Sequence, residues 1–159
     1  MITRLLGRIL IAMAIVLTLA YGAHALGMPR LVLWEMGTSM PRGLYVYAHG
    51  TPIERGETIV LDEAPNWGRS YLMKRIEGLP GQTYCWDEAR QAHRLDDRWM
   101  PEISITARMM EIPVWRGCRQ LGPDEYVGYG AGDSYDSRYI GPVSADAIAG
   151  AYRLVVASP

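Results

Sequence analysis

Phenylalanine is absent from this 159-residue chain, and lysine is nearly so: of 16 basic residues 15 are Arg, and only Lys74 is Lys. No physical account of the missing phenylalanine suggests itself. The near absence of lysine is more instructive. A codon bias toward Arg explains the skew but not where the one lysine stands. Arg is charged at any working pH, whereas Lys gives up its proton when buried, so a site that needs a neutral amine cannot use Arg. Cysteine is also scarce, with only Cys85 and Cys118. No second Cys pair or His pair accompanies them, which leaves no zinc pattern, and there is no H-E-x-x-H. No metal and no cofactor is therefore expected. The formal net charge is -1 and there is no long basic run, so nucleic-acid binding lacks an electrostatic basis.

What the chain does have in one block is apolar sequence. Leu5 to Met28 is interrupted only by Arg8 and His24, around an apolar core from Ile9 to Ala23. Arg4 and Arg8 precede that core and no acidic residue does. This arrangement predicts a single N-terminal transmembrane helix over 1-28, with its N-terminus cytoplasmic and residues 29-159 exported. Arg8 would snorkel toward the headgroups. Ala23-His24-Ala25 is also an A-x-A pattern behind an apolar core, so a cleaved signal and a soluble periplasmic form is the competing expectation. On either reading the rest of the chain meets an oxidising compartment. There Cys85 and Cys118 form one disulfide; otherwise they are two buried thiols.

Residues 29-159 read as one mostly β domain, without repeats or low-complexity segments. Short runs rich in β-branched and aromatic residues occur at 43–47, 57–61 and 71–76, with further candidates at 82–86, 126–129 and 147–156. Gly and Pro clusters separate them. The charged, poorly periodic stretch 87–110 reads as a hairpin excursion or a surface insertion.

Three segments hold candidate chemistry. In Gly37-Thr38-Ser39-Met40-Pro41, the proline fixes its own φ and biases Met40 to extended geometry, which can present the Ser39 hydroxyl at the start of a strand. In Tyr71 to Gly78, strand alternation puts Lys74 on the face of Leu72 and Ile76, the apolar one. Burial there would disfavour the ammonium and draw its pKa below the usual value of about 10.4. A neutral amine beside a serine hydroxyl can take its proton. The third segment, Gly132 to Val143, is dense in short polar side chains able to hold an orienting hydroxyl near that amine; otherwise it is a polar turn tied by an Asp136–Arg138 contact.

In this order and spacing, the segments resemble the boxes of type I signal peptidases. Ser39-Met40 resembles the nucleophile box, and Lys74-Arg75-Ile76-Glu77-Gly78-Leu79-Pro80-Gly81 the lysine box. Ser134-Tyr135-Asp136-Ser137-Arg138 resembles the S-x-D-S-R box. Ser-Met-Pro-Arg-Gly-Leu-Tyr, the small size and Trp115 to Arg119 are similar to the conjugative-transfer peptidases of the TraF type. The resemblance implies a signal-peptidase-like β domain without cofactor or metal. In it Ser39 is the nucleophile, Lys74 the general base, Ser134 the hydroxyl that orients the lysine, and Asp136 with Arg138 a supporting ion pair. The Ser39 backbone N–H, with Thr38 as a candidate second donor, forms the oxyanion hole. Two departures stand out. Gly37 occupies a position where general signal peptidases often carry a serine. Gln82 and Gly128-Tyr129-Gly130 replace the usual Asp and Gly-Asp-Asn, and these are expected to alter packing more than chemistry.

The implied substrate is an exported precursor, prepilin-like in the conjugative branch, with other transfer-apparatus proteins and the inner membrane as partners. The catalytic domain lies on the periplasmic side. Alternatives are a general signal peptidase that removes signal peptides and a non-catalytic membrane-tethered module. A Ser–His–Asp hydrolase is disfavoured: there is no G-x-S-x-G elbow, and His24, His49 and His93 are scattered.

Overall fold

The computed structural model describes residues 2–25, 30–62, 71–103 and 112–158. Contacts divide the chain into two units, Met1–Leu31 and Val32–Pro159. The first contains helix α1, Ile2–Ala25, whose 24 residues rise about 36 Å at 1.5 Å per residue. Its apolar side chains are exposed on every side, among them Leu6, Ile9, Leu10, Met13, Val16 and Leu17. No acidic residue lies in its first turn. Among the described residues no helix is long and apolar enough to cross a membrane.

The second unit is two antiparallel sheets. Strands β1 (Val32–Glu35), β2 (Gly43–Tyr47), β3 (Thr58–Leu61), β4 (Leu72–Gly78), β9 (Glu125–Tyr129), β10 (Val143–Ser144) and β11 (Ile148–Ala157) form a seven-stranded sheet ordered β1-β2-β11-β3-β4-β9-β10. Between β4 and β9 the chain leaves to build a four-stranded sheet ordered β7-β6-β5-β8, from β5 (Thr83–Asp87), β6 (Ala92–Leu95), β7 (Arg98–Trp99) and β8 (Cys118–Gln120). The expected excursion over 87–110 is thus a β5–β6 hairpin with β7 at its edge as far as 103; the part from 104 to 110 lies outside the described residues.

Alternation accounts for the core. Leu72, Lys74, Ile76 and Gly78 are buried on β4, while Arg75 is exposed. Ile59, Leu61, Leu72, Ile76 and Val143 pack together, each large side chain contributing about 1.5–3 kcal/mol by burial. A second cluster joins Leu33, Met40, Tyr45, Val60, Met73 and Tyr152, tying the loop after β1 to the sheet. Tyr84, Leu95, Met100, Leu121 and Val127 link the two sheets. Where they meet, Gly78 leaves no room for a side chain: a Cβ there would come within 2.7 Å of the Val127 Cβ.

Candidate active site

Ser39 stands half-buried in the loop between β1 and β2, and three contacts fix that loop. The Met40 side chain is buried in the core cluster. The Tyr45 hydroxyl donates to the Pro41 carbonyl at 2.8 Å. The Ser39 carbonyl accepts from the Ala131 N–H at 2.8 Å. That last bond ties residue 39 to the segment just past β9, nearly a hundred positions away in sequence.

Lys74 is 2% exposed in the middle of β4, opposite Ile59 of β3. Its Nζ donates to the Met73 carbonyl at 2.9 Å. On its other side β4 pairs with β9, Arg75 opposite Tyr129 and Ile76 opposite Gly128. Continued one residue past its last pair, this register would set Lys74 across from Gly130. A Cβ at Gly128 would lie 3.2 Å from the Lys74 Cβ. A Cβ at Gly130 would overlap the Ser134 hydroxyl and lie 3.0 Å from the Ser39 Cβ. Ser39, Ser134 and Lys74 therefore gather around the two glycines at the end of β9, Gly128 and Gly130.

Ser134 is buried, and its Oγ has no hydrogen-bond partner among the described residues. An unsatisfied buried hydroxyl costs about 1–3 kcal/mol, so such groups are retained where they have a task. It makes no bond to Lys74 in this state. Asp136 and Arg138 form a buried ion pair, 0% and 2% exposed. The Asp136 carboxylate accepts from Arg138 Nε at 2.9 Å and Nη2 at 2.8 Å, and from the Gly130 N–H at 2.9 Å. It also caps the short helix α2, Ser137–Ile140, by accepting from the Arg138 N–H. Arg138 in turn donates to the carbonyls of Gly130 and Ser134 at 3.2 and 3.3 Å. Burial works against the guanidinium charge, but hydrogen bonding and pairing with Asp136 outweigh it and raise the Arg138 pKa. The pair thus fixes both ends of the 130–134 turn that carries Ser134. Ser137 adds a bond unforeseen from sequence, its Oγ accepting from the Gly128 N–H at 2.9 Å.

A cleft of about 390 Å³ opens beside Ser39, lined by Thr38, Met40, Pro41, Arg75, Glu77, Tyr129 and Ala131. Lys74 is not part of its wall; it stands on the buried side of β4. The Ser39 N–H donates to no acceptor among the described residues. The Gly37 N–H is taken by the Glu35 carboxylate. Thr38 lines the cleft.

The cysteines are joined: Cys85 and Cys118 face each other across β5 and β8 as a disulfide. Neither His49 nor His93 lines the cleft. His93 is wholly buried, stacked on Tyr84 and Trp115, with Nε2 2.8 Å from the Trp115 carbonyl. Burial lowers its pKa. Sequence reasoning passed over Gly130, Arg75 and Glu77. A Gly-x-Gly on one strand face, within reach of the lysine's partner strand, was the available signal for Gly130.

No match was found among curated proteins. The profile of the signal peptidase family, peptidase S26, matches residues 2–157, almost the entire chain. The chain belongs to that family and is a serine peptidase of the signal peptidase type, acting on a protein precursor.

Proposed function

We propose that Ser39 is the nucleophile and Lys74 the general base of an endopeptidase that processes an exported precursor. The observation that carries this is the convergence of Ser39, Ser134 and the Lys74 position on Gly130, beside a cleft. Lys74, neutral, takes the Ser39 proton as Oγ attacks the scissile carbonyl. The resulting oxyanion is held by the Ser39 N–H, with Thr38 as second donor. Lys74 then hands the proton to the leaving amine, and an acyl-enzyme remains. Ser134 orients the amine, and the Asp136–Arg138 pair holds Ser134 in place.

The Ser39-Met40-Pro41-Arg42-Gly43-Leu44-Tyr45 run supports the conjugative, TraF-type branch, with a prepilin-like substrate. There the acyl-enzyme is resolved by the substrate's own amino terminus, giving a cyclic product. In a general signal peptidase, water resolves it. A product one water heavier than the closed ring, by mass spectrometry, rules cyclisation out. The segment 1-28 serves to hold the chain at the inner membrane, with 29-159 on the periplasmic side. The exposed apolar surface of α1, the exposed Val32, Trp34, Val155 and Val156, and the disulfide all support that location.

The test is cleavage of an exported precursor by wild type, Ser39→Ala and Lys74→Ala. Loss of cleavage in both variants is expected, by at least about a thousandfold. Wild-type rates in both would sink the assignment.

A further inference from the structure

The cleft beside Ser39 contains a charge that the mechanism does not use. Three of its lining side chains bear a charge or an ionisable hydroxyl: Arg75, Glu77 and Tyr129. Two of these are engaged. The Glu77 carboxylate accepts from Arg98 at 2.8 Å and lies 3.6 Å from Arg55 Nε, and the Tyr129 ring lies under the Arg138 guanidinium. Arg75 is exposed on the outer face of β4 and has no hydrogen bond or ion pair among the described residues. Its neighbour Glu77 is already held by two arginines, so it does not quench the Arg75 charge. The same charge reaches the nucleophile loop: burial and Glu35 raise the pKa of Tyr45, whose hydroxyl holds the Pro41 carbonyl, and Arg75 opposes that rise.

We propose that Arg75 is a specificity-determining residue that recognises a carboxylate on the substrate close to the scissile bond. A guanidinium offers two parallel N–H donors to a carboxylate, which a lysine in its place would not match. The cleft's size sets the reach. An extended peptide advances about 3.3 Å per residue, so the recognised group lies within about three residues of the bond attacked by Ser39. The carboxylate is either an Asp or Glu side chain or the substrate's own C-terminus. This inference rests on Ser39 being the nucleophile.

The test uses the full chain and matched peptides spanning one cleavage site. Asp replaces Asn at one flanking position at a time, and a second set compares a free with an amidated C-terminus. At one position, or at the free C-terminus, wild type should favour the acid by about tenfold in kcat/KM, the range of a charge-assisted hydrogen bond. Arg75→Gln should erase the ratio and Arg75→Glu should invert it toward a Lys-bearing peptide, while Arg153→Gln, on β11, leaves it intact. Equal rates for acid and neutral peptides at every position, or a preference that survives Arg75→Gln, overturns the proposal. Affinity of the same peptides for Ser39→Ala separates the two readings. An acid preference in binding that needs Arg75 upholds the subsite even if Ser39→Ala still cleaves, in which case only the nucleophile assignment falls.

Discussion

At position 130 a single methyl group has nowhere to go. It would overlap the Ser134 hydroxyl and press on the Ser39 Cβ, both of which belong to the proposed catalytic group. Gly130→Ala should therefore keep the fold, since the residue sits past the end of β9, and lose activity. A displacement near 1 Å at a reacting group costs about a hundredfold. Steady-state kinetics alongside a thermal melt checks this, and a variant with wild-type kcat/KM would contradict the packing account. Lys74 was legible in the sequence because it is the only lysine and alternates with Leu72 and Ile76, and it is indeed buried. The purpose of Gly130 was not legible. Its crowding comes from residues 39 and 134, and only the folded chain brings them to it. The Gly-Tyr-Gly run read as a departure from the usual Gly-Asp-Asn, and the structure adds that side chains there would meet Lys74, Ser134 and Ser39. The position of Gly37 left the second oxyanion donor open in the sequence, and the bond from its N–H to the Glu35 carboxylate required the structure.

Strands with strong apolar alternation were readable as elements. β2, β3, β4, β5, β9 and β11 fall within a residue or two of where composition put them. Those overlooked have weak local signals. β8 is exposed at all three positions, so no burial pattern marks it, and β10 is two residues long. β1 has an alternation, but it directly follows the apolar N-terminal block and merges with it in sequence. β8 is held to its sheet by β5 on one side alone and by the Cys85–Cys118 bond. The disulfide closes a separation of 33 residues, for which chain entropy gives about 3–4 kcal/mol. The double variant Cys85→Ser, Cys118→Ser should lose about that much in urea unfolding, and reduced wild type should match it. Identical midpoints with and without reductant would show that the bond does not bear on the stability of this sheet.

For the molecule as a whole, pH should act through His93 before it acts through any carboxylate. Burial depresses the folded-state pKa of His93 below its ordinary 6.5, the backbone bond to Trp115 opposing. Below pH 6.5 the unfolded chain binds a proton that the folded one refuses, so stability is full above that pH and falls as pH drops through it. At pH 5.5 one such group accounts for a loss of up to about 1.4 kcal/mol. The lowered pKa values of Glu88, Asp96 and Glu125 act only further down, below their ordinary values of 4.5, 3.8 and 4.5. Unfolding midpoints at pH 7.5 and 5.5 should differ more for wild type than for His93→Phe; equal differences would remove His93 as the cause. The two-sheet domain, with its proposed dyad split between a loop anchored by Met40 and the central strand β4, supports one chemical claim above the rest. Rapid quenching of the enzyme with a cleavable precursor peptide, followed by mass analysis of the digest, tests it directly. The account predicts an acyl group on the Ser39 peptide in wild type and none in Lys74→Ala. Turnover with no adduct on Ser39, or an adduct that forms equally fast without Lys74, would contradict it.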